Sequence, residues 1–218
     1  MHKLLDEISN RLTIGDSIYC NSIHLLTAYN LKETADHVVK VSSIAMELAN
    51  NFGVDANKAK LAGILHDIGV IIPNDKKVEI AQLLKIELYS EEKEVPSIIH
   101  QRLSKEFAKM FFDVQDDEVL NAISSHTTLR SKPSRLDMII FLADKISWEQ
   151  NGKQPFQDLI KKDLKTSLEL ATFNYINFLL KNEKSLQVVH PWLNEAYNEL
   201  QKVPSMALSE PVDVINGY

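Results

Sequence analysis

Asp55-Ala56-Asn57-Lys58-Ala59-Lys60-Leu61-Ala62-Gly63-Ile64-Leu65-His66-Asp67-Ile68-Gly69 is the stretch whose reading decides the fold. Asp55 is suited to cap a helix N-terminus, and Leu61, Ile64, Leu65 and Ile68 supply an apolar face at helical spacing. Gly69 offers an end, and Pro73 follows soon after. His66 and Asp67 are about 100° apart on a helix. Two neighbours aim at one point only near a helix end, where the axis no longer intervenes. An imidazole and a carboxylate placed there suit a divalent cation, with the carboxylate able to bridge two.

Working outward, four other helices place a polar group where their apolar stripe should be. His37 shares a face with Val41, Ile44 and Leu48, and His100 with Leu103, Phe107 and Met110 or Phe111. His126 follows Val119 and Ile123, and Asp144 continues Leu136 and Ile140. Offsets of three, four and seven point each of these inward. A lone inward histidine is usually a satisfied core residue, but an unpaired buried carboxylate costs several kcal/mol. Asp144 has the alternative of pairing with a nearby Lys or Arg. Taken together, His37, His66, Asp67, His100, His126 and Asp144 read as a nitrogen-and-oxygen donor set without sulfur. Such a set suits Fe, Mn, Co, Ni or Zn and leans away from structural zinc. The expectation is a metal-dependent hydrolase. His2, His24 and His190 are set aside as structural or exposed, although His190 is able to approach the site in the fold.

The rest of the chain agrees with an all-α bundle that holds a metal site in its core. Glycine is scarce at six, proline at seven, and the apolar spacing is mostly helical. Helices are expected over Leu4–Leu12, Ser22–Tyr29 and Thr34–Asn51, the last closed by Gly53 as a left-handed cap. Others are expected from Asp55 to Gly69, Asp75 to Lys85, Ser97 to Phe112, Asp116 or Asp117 to His126, and Ser134 to Trp148. Ser90–Glu94 reads as a polar connection. One long helix over Phe156–Leu180 and a last one from Pro191 complete the set. The division is an N-terminal helical extension over 1–30 packed on the core, a main domain over 31–203, and an extended tail over 204–218. With 218 residues and 44% apolar content, the chain is able to bury a substantial core. No apolar run approaches the roughly 20 residues of a membrane span. The start lacks the apolar stretch of a signal peptide, so the cytoplasm is expected. A net charge of −6 with interspersed signs argues against a nucleic-acid surface. Cys20 is alone, which excludes an internal disulfide and a thiolate cluster.

Leu65-His66-Asp67-Ile68-Gly69, with His37 before it and Asp144 after it, resembles the signature of HD-domain metal-dependent phosphohydrolases. Ser125-His126-Thr127-Thr128-Leu129-Arg130 and Ile139-Ile140-Phe141-Leu142-Ala143-Asp144 are similar to the YqeK-type branch. The resemblance extends from about Thr34 to Pro191, including Val188-Val189-His190-Pro191. It implies an HD-type helical bundle and symmetrical cleavage of diadenosine tetraphosphate. It also implies two ions, most often iron. His37, His66, Asp67 and Asp144 would hold one ion, while Asp67, His100 and His126 would hold the other.

Several positions depart from the family. Val70 stands where a Lys is usual, Ile71 where an acid is usual, and Thr34 where an Arg is usual. Lys145-Ile146-Ser147-Trp148 replaces a Tyr-Ile-Glu-Pro run. The expected function is hydrolysis of a nucleotide-like phosphoanhydride or phosphoester. Asp67 and Arg130 are the catalytic candidates, and Arg130, Thr127, Thr128 and Lys145 are the candidates for binding the substrate. Arg102 and Lys132 are weaker ones. The implied partners are a small-molecule nucleotide and a second copy of the chain, with no nucleic acid and no membrane. Two rivals keep the domain: a di-iron oxygenase using the same six ligands, and a degenerate domain that binds a nucleotide without turnover.

Overall fold

A computed structural model describes residues 3–12, 17–147, 154–183 and 186–202. Within them every regular element is helical. In chain order the α-helices are α1 (Lys3–Asn10), α2 (Ile18–Ala28), α3 (Lys32–Asn51), α4 (Ala56–Leu65), α5 (Asn74–Leu83) and α6 (Ser90–Glu94). They continue with α7 (His100–Phe112), α8 (Asp117–Ser125), α9 (Arg135–Ile146), α10 (Pro155–Asp163), α11 (Leu168–Lys181) and α12 (Pro191–Leu200). Short 3-10 turns cover Ile68–Ile71 and Pro96–Ile99.

The bundle is organised around α9, every residue of which from Leu136 to Asp144 is buried. A helix apolar on all sides has to lie inside; α3, α4, α8, α10 and α11 surround it. The stripe on α3 buries Val38, Val41, Ala45 and Leu48 and leaves Lys40, Ser43, Glu47 and Asn50 outward. Gly53 has φ +66°, and the Val54 amide donates to the Ala49 carbonyl, so the left-handed cap forms as expected. At the N-terminal side, α2 packs on α3 and α4. The Ser22 hydroxyl there donates to the Ile64 carbonyl at 2.8 Å.

Several boundaries differ from the sequence reading. The helix opened by Asp55 stops at Leu65, four residues before Gly69. Gly69 has no positive φ, so it is not a left-handed stop. It is instead where the 3-10 turn crosses α7. A Cβ at position 69 would lie 2.4 Å from the His100 carbonyl oxygen and 2.7 Å from the Ser104 nitrogen. The Gly69 amide donates to Ser104 Oγ at 2.9 Å across the same contact.

Phe156–Leu180 is two helices rather than one. Leu164 to Ser167 separates them, and Ser167 caps α11 by accepting from the Leu170 amide. Ser90–Glu94 is helical, because the Glu92 carboxylate accepts from the Tyr89 amide at its start. The helix expected from Ser97 begins at His100, after the 3-10 turn. Trp148 and the tail over 204–218 lie outside the described residues.

Candidate metal centre

The end of α4 delivers the central pair. His66 keeps helical dihedrals as the C-cap residue, whereas Asp67 turns to φ −105°, ψ 9°. That turn swings the carboxylate toward the same space as the imidazole. His66 Nδ1 donates to the Gly63 carbonyl at 2.8 Å, one turn back. His126 Nδ1 makes the same bond to Ile123 at 2.8 Å, and His100 Nδ1 to Ser97 at 2.6 Å. Each bond fixes the ring and leaves Nε2 as a bare lone pair.

Those lone pairs converge on Asp67. Its Oδ1 is 3.0 Å from His100 Nε2 and 3.3 Å from His126 Nε2. Its Oδ2 is 3.5 Å from His66 Nε2 and 3.9 Å from His37 Nε2. His100 Nε2 and His126 Nε2 are 2.9 Å apart. His37 Nε2 is 2.9 Å and His66 Nε2 3.8 Å from Asp144 Oδ1. The structure therefore gathers all six sequence candidates, with four imidazoles around Asp67 and Asp144 against two of them.

The acid-base state sharpens this. Burial pushes His66 down to about 4, against an ordinary 6.5, and also lowers His126. Both rings are neutral near pH 7, and His66 Nε2 is buried with no hydrogen-bond partner. Burial disfavours a charged Asp67, yet the surrounding His66, His100 and His126 rings hold the carboxyl well below its usual range. For Asp144, Lys145 and His37 outweigh burial in the same direction. Burial opposes charge on His37, but the Asp144 carboxylate prevails and raises it.

The neutral His66 and His126 rings, presenting lone pairs to a carboxylate, are acceptors facing an acceptor. Acceptors outnumber donors around Asp67, an arrangement that fits cations. Two groups form, His37, His66 and Asp67 on one side and Asp67, His100 and His126 on the other. Asp144 lies against the first.

A pH dependence of the metal-free protein follows. His66 and His126 have folded values below the unfolded one, so their contribution is complete above about pH 6.5 and is lost as pH falls toward 4. His37 acts oppositely, its stabilisation fading as pH rises through its raised value. Two shifts against one predict a lower denaturation midpoint at pH 5 than at pH 7. Equal midpoints would contradict the assigned states.

A cavity of about 670 Å³ opens beside this cluster, lined by His37, Asp67, His100, Thr127 and Ser147 among others. His66, His126 and Asp144 lie behind it, 0%, 2% and 4% exposed. Of the substrate-binding candidates only Thr127 lines the cavity.

The other candidates have partners outside the cavity lining. Arg130 pairs with the buried Asp137 at 2.7 Å. The Thr128 hydroxyl is engaged by Gln101 and donates to the Leu129 carbonyl. Lys145 folds back onto Asp144 in the interior. Arg102 joins Glu92 and the Glu87 carbonyl beneath Trp192. Lys132 is exposed at φ 48°. His190 caps α12 and faces Glu92 at 3.6 Å, away from the cluster. Arg130→Ala should therefore cost about 2–3 kcal/mol of stability by stranding Asp137, with KM within about twofold of wild type. A large KM change at unchanged stability would return Arg130 to the substrate.

Two positioning groups escaped the sequence reading. Ser147 Oγ donates to the Asp144 carbonyl at 2.8 Å, leaving its lone pair for His37 Nδ1 at 3.2 Å. It thereby orients His37 as the backbone carbonyls orient the other rings. Gln101 is buried and accepts from the Thr127 amide at 3.1 Å, holding the loop after His126. Leu129 in that loop is buried at φ 59°, a left-handed conformation for a bulky residue. Only the spacing of Ser147, three residues after Asp144, offered a clue.

Comparison with known proteins gives a consistent answer. The HD domain family model matches residues 34–149. An uncharacterized protein in the pepC 5' region of Lactococcus lactis subsp. cremoris is 44% identical over 68% of this chain and 75% of its own. A symmetrical bis(5'-nucleosyl)-tetraphosphatase of Halalkalibacterium halodurans is 31% identical over 82% of this chain and 95% of its own. Among solved structures, an HD superfamily hydrolase from Clostridium acetobutylicum, described as involved in NAD metabolism, superposes with a TM-score of 0.75. It shares 28% identity over 87% of this chain and all of the other.

Proposed function

The chain belongs to the HD-domain family and is a phosphohydrolase, and on that premise we propose that it cleaves dinucleoside polyphosphates symmetrically at a two-cation site. His37, His66, Asp67 and Asp144 hold one cation, and Asp67, His100 and His126 the other. The observation that carries this is the division of the Asp67 carboxylate, with Oδ1 toward one pair of Nε2 atoms and Oδ2 toward the other. When bound, two divalent ions supply a water deprotonated near neutral pH and neutralise charge on the phosphoryl oxygens.

This chain's residues do the rest. Backbone carbonyls and Ser147 hold every imidazole with Nε2 toward the site. Lys145 keeps Asp144 ionised from behind. Thr127 Oγ1, 3.4 Å from His100 Nε2 on the cavity wall, is placed to donate to a phosphoryl oxygen. The six donors contain no sulfur and are mostly imidazole, a set that accommodates the iron implied by the family resemblance, with Mn, Co and Ni as alternatives.

The test is a nucleotide panel run on protein purified without chelator and analysed for metal. Diadenosine tetraphosphate should yield two molecules of ADP. Formation of AMP and ATP would refute symmetrical cleavage, and inertness toward every nucleotide would refute the substrate class. Oxygen uptake without phosphate products would favour an oxygenase. Stripping the metal should lower the melting temperature, and restoring iron or manganese should recover it, since the donors repel one another without a cation.

A further inference from the structure

Lys76 and Lys77 are neighbours in the first turn of α5, yet their surroundings are opposite. The Lys76 side chain is 53% exposed and pairs with Glu79. Lys77 is 4% exposed and lines the cavity beside the cation cluster. Its Nζ meets a neutral partner, Asn74 Oδ1 at 2.6 Å. Among the described residues no carboxylate lies within 4 Å of it. Holding an ammonium out of water with only the more distant Asp67 carboxylate to offset its charge is costly, and such a group is stabilised by an anion delivered to it.

The cavity needs one. Glu33, Asp36 and Asp67 line it, so a polyphosphate entering would meet negative charge. Lys40 and Lys77 are the cationic side chains on its wall, and of these only Lys77 is buried. Val70 lies on the same wall, at the position where the family resemblance leads one to expect a lysine. On this wall the 3-10 turn offers no positive charge at position 70, and Lys77 from the next helix supplies one.

We propose that Lys77 is the phosphate-binding cation of this cavity, its ammonium contacting a non-bridging oxygen of the polyphosphate chain beside the reacting phosphorus. This rests on the hydrolase reading above, and the test separates the two. Metal-loaded wild-type, Lys77→Met and Lys77→Arg proteins are compared in diadenosine tetraphosphate hydrolysis, pyrophosphate affinity by calorimetry, metal content and melting temperature. Lys77→Met should lose about 10- to 100-fold in kcat/KM, carried mainly by KM, and a similar factor in pyrophosphate affinity. Lys77→Arg should recover part of both.

Metal content should not change, and the melting temperature of Lys77→Met should hold or rise, because a buried charge has been removed. Pyrophosphate affinity equal to wild type in Lys77→Met overturns the assignment. So does a fall in melting temperature or metal content large enough to account for the lost activity. If wild type hydrolyses no nucleotide but still binds pyrophosphate in a Lys77-dependent way, the substrate class fails while the anion site stands.

Discussion

Asp67→Ala protein, purified without chelator, should retain little metal and lose turnover by about 1,000-fold or more, on the order of 4 kcal/mol in the barrier. Both proposed cation positions depend on this one carboxylate. Its two oxygens lie 3.0 to 3.9 Å from four imidazole Nε2 atoms. Removing His37 or His100 alone leaves one group of donors intact, whereas removing Asp67 leaves neither. Helical content should be unchanged, because Asp67 lies between α4 and the 3-10 turn and makes no side-chain cap. Asp67→Asn is the sharper control, keeping shape while losing charge. Undiminished phosphate release by either variant would end the bridging role.

The second large effect lies away from the chemistry. Gly69→Val should cost about 3 kcal/mol and lower the melting temperature by roughly 6–12 °C. The new Cβ meets backbone at 2.4 and 2.7 Å, which no rotamer change relieves. The helix that must retreat is α7, and it begins at His100. Metal stoichiometry should therefore fall toward one per chain, and activity by about 100-fold, as expected for a displacement near 1 Å at a reacting site. Gly53→Ala is the matched control. It strains a left-handed residue with nothing within 4 Å, so it should cost about 1 kcal/mol and leave metal content alone. Full metal loading in Gly69→Val would show that the crossing does not place His100.

The convergence of the six proposed ligands was legible because polar groups stand where apolar stripes of known period should continue. His126 follows Ile123 and Val119, and that spacing survives in the fold. What was not legible depends on contacts between distant segments. Arg130 is four residues after His126, but whether it faces a ligand or Asp137 is decided by how α9 docks against the loop. Lys77 looks like any lysine of a polar helix until α5 is placed against the cavity. Gly69 carried the right signal of a backbone constraint but the wrong cause, since local sequence cannot tell a chain stop from a crossing helix. The break at Leu164–Ser167 was missed because no Gly or Pro stands in it, and the Ser167 cap marks it.

The proposed ligands begin with His37 on α3 and end with Asp144 near the close of α9, with the remaining four scattered over the segments between. A nascent chain emerging from the ribosome does not carry both donor sets until α9 has been synthesised and has docked, because Asp144 completes the set that begins with His37. Cation capture at both positions would then report the finished tertiary assembly, in a way that helix content measured along the lengthening chain cannot.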